Sequence, residues 1–234
     1  MALLDELKNK TAKYFREKYE IKPTTVVPST DYSKLTFGNT ALTAELTFIF
    51  IDIRKSSELH DKYGYEYAAR IYQSFHDICL RIINSRYGNV RAFDGDRIMG
   101  IFSGDFKNNN AVETAMNIRW AISNILNPKF KPEYAINIGI GIDTGETLIT
   151  KVGKGRNTEN NDLVWVGKAC NYASHLSSHA TNCIYVSPAV YNKLRDNNKI
   201  SDGKNMWTSV NLTLKNGKTI TCYKTIYHWE NLKG

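Results

Sequence analysis

Residues 45–53, ELTFIFIDI, run almost entirely through β-branched, aromatic and aliphatic side chains, then stop at an acid and the polar turn RKSS. A short apolar run bounded by turn residues reads as a central strand, and the rest of the fold must be built around it. Ala68, Ile71, Tyr72, Phe75, Ile78, Cys79, Ile82 and Ile83 then recur every three or four residues until Gly88, which predicts an amphipathic helix. NVRAF and RIMGIF follow, separated by Asp94, Gly95 and Asp96. An Asp-Gly pair between apolar runs is hairpin chemistry, because the turn needs positive φ and glycine supplies it cheaply.

A second amphipathic helix is expected over residues 111–126. YAINIGIGI then alternates Tyr134, Ile136, Ile138, Ile140 and Ile142 with small or polar residues, the period of a half-buried strand. The order strand, helix, hairpin, helix, strand predicts an α+β, ferredoxin-like (βαββαβ) fold: an antiparallel sheet with helices on one face. Beyond it, residues 169–178 read as a helix, CIYVS as a strand and PAVYNKL as a helix opened by proline. Residues 210–229 read as a closing C-terminal hairpin that turns at Asn216 and Gly217.

Residues 1–40 read as an N-terminal helix and linker, and residues 41–234 as one domain. Leu3, Leu4, Leu7, Tyr14 and Phe15 make a loosely amphipathic pattern that Pro23 and Pro28 interrupt. This suits a helix packed on the domain or, less well, a dimer arm. Hydrophobic residues at 42% and charged ones at 23% fit a globular, soluble chain. Nothing approaches the roughly 20 apolar residues of a membrane helix, so a cytoplasmic protein without membrane contact is expected. The +8 net charge attracts polyanions, yet no nucleic-acid-binding signature accompanies it, and no such partner is expected. Cys79, Cys170, Cys183 and Cys222 form no CxxC pair, and Cys170 and Cys183 with His175 and His179 lack a zinc-ligand spacing.

Asp52 ends the first strand and Asp96 follows the hairpin turn. Each alone is an ordinary turn former or helix cap. Their topology argues for more, since the first strand neighbours this hairpin in a ferredoxin-like sheet and the carboxylates converge. Such a pair suits two divalent cations, Mn²⁺ or Mg²⁺, which take oxygen ligands and bridge nucleotide phosphates.

FIFIDIRKSS, FDGDRIMGIF, GIGIDTGE, VGKACNYASH and LTLKNGKTITCY, in this order, resemble the class III adenylyl and guanylyl cyclases over about residues 44–227. The resemblance implies a nucleoside triphosphate substrate, a 3′,5′-cyclic monophosphate product, and a homodimer with its sites at the subunit interface. It assigns the metals to Asp52, Asp96 and the main chain of Ile53. Phosphate binding falls to the turn from Arg54 through Lys55 and Ser56 to Ser57, whose successive amides can cradle an anion. Asn171 takes the place of the transition-state asparagine. His175 stands where the family has arginine, and it brings fewer donors. Lys215 matches the lysine for the terminal phosphates, with Lys218 beside it.

At the two positions where adenylyl cyclases read the adenine edge, this chain has Ala92 and Val164, which offer no hydrogen bond. That loss resembles the bacterial pyrimidine cyclases of the Pycsar antiphage system. The resemblance implies a pyrimidine substrate, UTP or CTP; strand position makes Phe50 and Arg91 the candidate base contacts, and an Arg91 donor for a uracil carbonyl favours UTP over CTP. A purine cyclase, or a non-catalytic nucleotide-sensing or protein-interaction module on the same fold, is the alternative.

Overall fold

The computed structural model describes residues 2–32, 34–130, 132–153, 161–213, 217, 219–230 and 232. Strand β2 (Thr40–Ile53) is the expected central strand, flanked on both sides by antiparallel partners. Before it come helix α1 (Leu3–Arg16) and strand β1 (Glu20–Pro23), which pairs parallel to the start of β2. After it come α2 (Leu59–Tyr63), α3 (Tyr65–Ser85), β3 (Asn89–Asp94), β4 (Arg97–Phe102), α4 (Lys107–Ala121) and β5 (Ile138–Val152). The chain continues through β6 (Asp162–Val166), α5 (Lys168–His179), β7 (Cys183–Val186), α6 (Pro188–Asn192), the small pair β8 (Ile200–Ser201) and β9 (Lys204–Asn205), and the hairpin β10 (Thr208–Thr213) and β11 (Thr219–Thr225). The sheet order is β10-β11-β7-β5-β2-β4-β3, with β1 added on β2 and β6 on β5.

Alternation along β2 divides the interior. Ile49, Ile51 and Ile53 join Ile138, Ile140 and Ile142 of β5 against Ile71, Phe75, Cys79 and Ile83 of α3 and Ala111, Val112, Ala115 and Ile118 of α4. Leu46, Phe48 and Phe50 turn the other way, toward Met99, Ile101, Trp165 and Ala169 and Ala173 of α5. The two helices of the expected order, α3 and α4, share one face as predicted, and the later α5 lies on the other. Strands β2 to β5 pair antiparallel as predicted, and the later β7 joins β5 in parallel, which makes the whole sheet mixed.

The glycines of NIGIGI explain how α5 fits against the other face. They read as solvent-facing small residues, but they are where α5 touches the sheet. A Cβ on Gly139 would lie 2.6 Å from the Ser177 carbonyl oxygen, and one on Gly141 would lie 2.8 Å from the Leu176 carbonyl carbon. Strand β5 is consequently buried on both faces at its start. It begins at Ile138 rather than Tyr134, because Asn127 takes both the amide and the carbonyl of Ile136 at 3.0 and 3.1 Å and holds it off the ladder. Helix α4 begins at Lys107, ahead of the expected 111, since Asn108 and Asn109 are buried polar residues that accept from Thr47 and from the Arg195 amide.

Helix α1 has no buried residue. Leu3, Leu7 and Phe15 are 70%, 54% and 90% exposed, so it does not pack on the domain as expected. Its C-terminal end is held by Asn39, which donates to the Tyr14 and Glu17 carbonyls. Val27 and Leu35 of the following segment are buried on the α5 face. Among the described residues no helix is long and apolar enough to cross a membrane.

Candidate active site

Asp52 pairs in register with Arg97 of β4 and Gly139 of β5, at the end of β2. Its parity puts the carboxylate on the α5 face, where it is 8% exposed. Gly95 takes the expected positive φ of 59°, and the hairpin returns Asp96 so that its carbonyl accepts from the Ile53 amide at 3.3 Å. The hairpin thus brings the main chain of Asp96 against the end of β2. Burial raises the Asp52 carboxyl above the usual aspartate range, and the Asp96 charge adds to the rise. A hydrogen bond from Arg97 and the charges of Arg54 and Arg97 oppose it.

These residues fit a hard divalent cation. Two electrostatically coupled carboxylates supply oxygen donors, and the demand of Asp52 for positive charge is met here by two guanidiniums, Arg54 and Arg97. Among the described residues no group of three or more His, Cys, Asp or Glu side chains is placed to hold a metal ion.

The turn after β2 opens on Lys55 in the left-handed region and coils through Ser56–Glu58 into α2. Neither serine caps a helix with its side chain. The Arg54 amide is spent on the Asn137 carbonyl at 2.8 Å, which narrows the expected cradle to the amides of Lys55, Ser56 and Ser57. A cavity of about 280 Å³ beside this turn is lined by Arg54, Lys55, Lys62 and Asn137 among others. A larger one of about 790 Å³ lies away from the carboxylates, between α5, α6 and β11.

Asn171 and His175 are exposed on one face of α5, four residues apart. Sequence reasoning missed Arg97. Its guanidinium donates to Asp52 Oδ2 at 3.0 Å, to Ser174 Oγ at 3.1 Å and to Ser178 Oγ at 3.2 Å, while Arg54 donates to the Ser178 carbonyl at 3.0 Å. FDGDR gives no local sign of this, since the hairpin sets Arg97 opposite Asp94 and only the β2–β4 register sets it opposite Asp52.

Of the base-pocket candidates, Phe50 lies beside Met99 in register, and Ala92 lies on the far side of Met99, so the three form one apolar strip. Val164 does not join them. Its neighbours Leu163 and Trp165 pack into that cluster, Trp165 edge-on to Phe48 at 6.1 Å, so alternation turns Val164 to the opposite face. Arg91 sits at a bulge in β3 and donates to the Val27 carbonyl at 3.4 Å and the Val90 carbonyl at 3.2 Å. It therefore clasps the N-terminal segment. Lys215, Lys218 and the turn residue Asn216 lie outside the described residues.

A profile of the adenylate and guanylate cyclase catalytic domain matches residues 40–224. The chain is 38% identical over 234 residues to a uridylate cyclase of Xanthomonas perforans, covering 98% of this chain and 99% of the relative. It is 33% identical over 212 residues to a uridylate cyclase of Burkholderia cepacia, covering 88% and 91%. Among solved structures, the adenylyl cyclase CyaB from P. aeruginosa superposes with a TM-score of 0.69 at 19% identity, covering 82% of this chain and 99% of that one. The guanylyl cyclase Cya2 superposes with a TM-score of 0.67 at 16% identity, covering 82% and 96%. With acids at the ends of adjacent strands and these likenesses over nearly its whole length, the chain belongs to the adenylate and guanylate cyclase catalytic domain family and is a nucleotidyl cyclase.

Proposed function

We propose that the chain is a uridylate cyclase, converting UTP to 3′,5′-cyclic UMP and pyrophosphate as a homodimer with two sites at its interface. The strip of Phe50, Met99 and Ala92 carries the pyrimidine reading, because it has no polar side-chain atom with which to read a purine edge. The relatives named uridylate cyclases support the same substrate. With Arg91 engaged by Val27, the preference for UTP over CTP rests on those relatives.

Divalent cations, Mn²⁺ or Mg²⁺, supply charge that acidifies the ribose 3′-hydroxyl and neutralises the triphosphate. Asp52 and Asp96 are the residues to hold them, with the Ile53 main chain. The amides of Lys55, Ser56 and Ser57 seat phosphate oxygens, Lys215 meets the terminal phosphates, and Asn171 and His175 of the second subunit orient the reacting phosphate. The 3′-oxygen attacks the α-phosphorus in line, the bond to the bridging oxygen breaks, and pyrophosphate leaves with that electron pair. The hydroxyl proton passes to solvent. A cytoplasmic second messenger in antiphage defence is the role that fits the Pycsar resemblance.

Incubation with equal amounts of the four ribonucleoside triphosphates and Mn²⁺, with products resolved by mass, tests the reading. Cyclic UMP should lead the purine products by orders of magnitude, since each missing hydrogen bond is worth about 0.5–1.5 kcal/mol. Predominant cyclic AMP or cyclic GMP overturns the pyrimidine assignment.

A further inference from the structure

We propose that Arg97 is a catalytic residue that supplies, from β4, the guanidinium that α5 lacks at His175. The inference rests on the cyclase reading above. Arg97 is half-buried, with its side chain 27% exposed, and its fork reaches Asp52 and the hydroxyls of Ser174 and Ser178. Ser174 immediately precedes His175 and lies three residues after Asn171. The guanidinium therefore joins the metal-binding strand to the helix that carries the transition-state asparagine. An imidazole at 175 has one or two ring N–H donors, whereas a guanidinium has five in a fork matched to phosphate oxygens.

Charge accounting separates this role from a structural ion pair. Asp52 already has Arg54, whose guanidinium also binds the Ser178 carbonyl, so Arg97 makes a second positive charge on one carboxylate. The other two partners of Arg97 are neutral hydroxyls. Exchanging them for phosphate oxygens replaces neutral hydrogen bonds with charge-assisted ones, roughly twice as strong. A cation held by Asp52 would leave Arg97 free for that exchange.

In a shared site Arg97 travels with Asp52, which gives the test. Native chain, Arg97→Ala and Arg97→Gln are assayed with UTP and Mn²⁺, alone and mixed with Asp52→Ala or Asn171→Ala chains, and Mn²⁺ binding without nucleotide is titrated by EPR. Both Arg97 variants should lose about 100-fold in kcat, in line with removal of a transition-state donor. Activity should return on mixing with Asn171→Ala and not with Asp52→Ala. The variants should bind Mn²⁺ at least as tightly as the native chain, because Asp52 has lost a competing guanidinium. Native-like kcat, clearly weaker Mn²⁺ binding, or recovery with Asp52→Ala but not with Asn171→Ala would overturn the proposal; the last would mean that Arg97 only seats α5. Inactivity of the native chain with all four triphosphates refutes the cyclase reading itself. Failure of the control mixture of Asp52→Ala and Asn171→Ala refutes the shared site, and the kcat and Mn²⁺ arms then still decide the case for Arg97.

Discussion

Asp52 and Arg97 face each other across the β2–β4 ladder, their side chains joined at 3.0 Å on the face that α5 covers. The first acid is thus held in a half-closed setting, and its neighbours determine what can reach it.

Asp52→Ala and Asp96→Ala should each lower turnover on the order of 1000-fold or more, because each removes an oxygen donor where charge must be neutralised. Circular dichroism and melting should show both variants folded. Full activity in either one would exclude the paired-carboxylate site.

Asp52→Ala and Asn171→Ala chains, each inactive alone, should regain activity after subunit exchange. A heterodimer keeps one site with both groups intact and one with neither. The ceiling is one working site of two. Two dimeric variants that stay dead when mixed would rule out a site built from both chains.

Gly141→Ala should destabilise the fold by about 1–3 kcal/mol or more, as overpacking does where the neighbour cannot yield. The atoms in the way are α5 backbone, which has no rotamer to change. Urea unfolding reads the effect. A midpoint equal to that of the native chain would mean that α5 is not seated on this strand.

Burial raises the Asp52 carboxyl above its usual value of 3.8, which fixes the direction of a pH effect. Protons and cations compete for the same oxygens. Affinity for Mn²⁺ should therefore be constant above the raised pKa and fall as pH drops through it, sooner than for an ordinary aspartate. EPR titration between pH 4 and 7.5 checks this. Affinity that stays flat down to pH 4 would mean that this carboxylate is not the ligand.

The parts of this site that could be read from sequence were those with local chemistry. Asp52 closes an apolar run, Gly95 marks its turn by positive φ, and the two together place Asp96. Arg97 carried no local signal, because its partners lie 45, 77 and 81 residues away and meet only through register and helix packing. Val164 comes from the family's base-reading position, which fixes a place in the sequence but no side-chain direction, and the alternation of β6 turns it to the opposite face. The face of α5 was hidden because glycine between isoleucines looks the same in a sequence whether water or a helix covers it.

That glycine track also sets what can vary around it. A helix resting on side chains shifts whenever those side chains change size, but α5 rests on peptide groups at Gly139 and Gly141. Its height above the strand beside Asp52 is fixed by van der Waals contact between backbones rather than by the size of side chains. Side chains elsewhere on that face can then change size while α5 keeps its distance from the strand that pairs with Asp52.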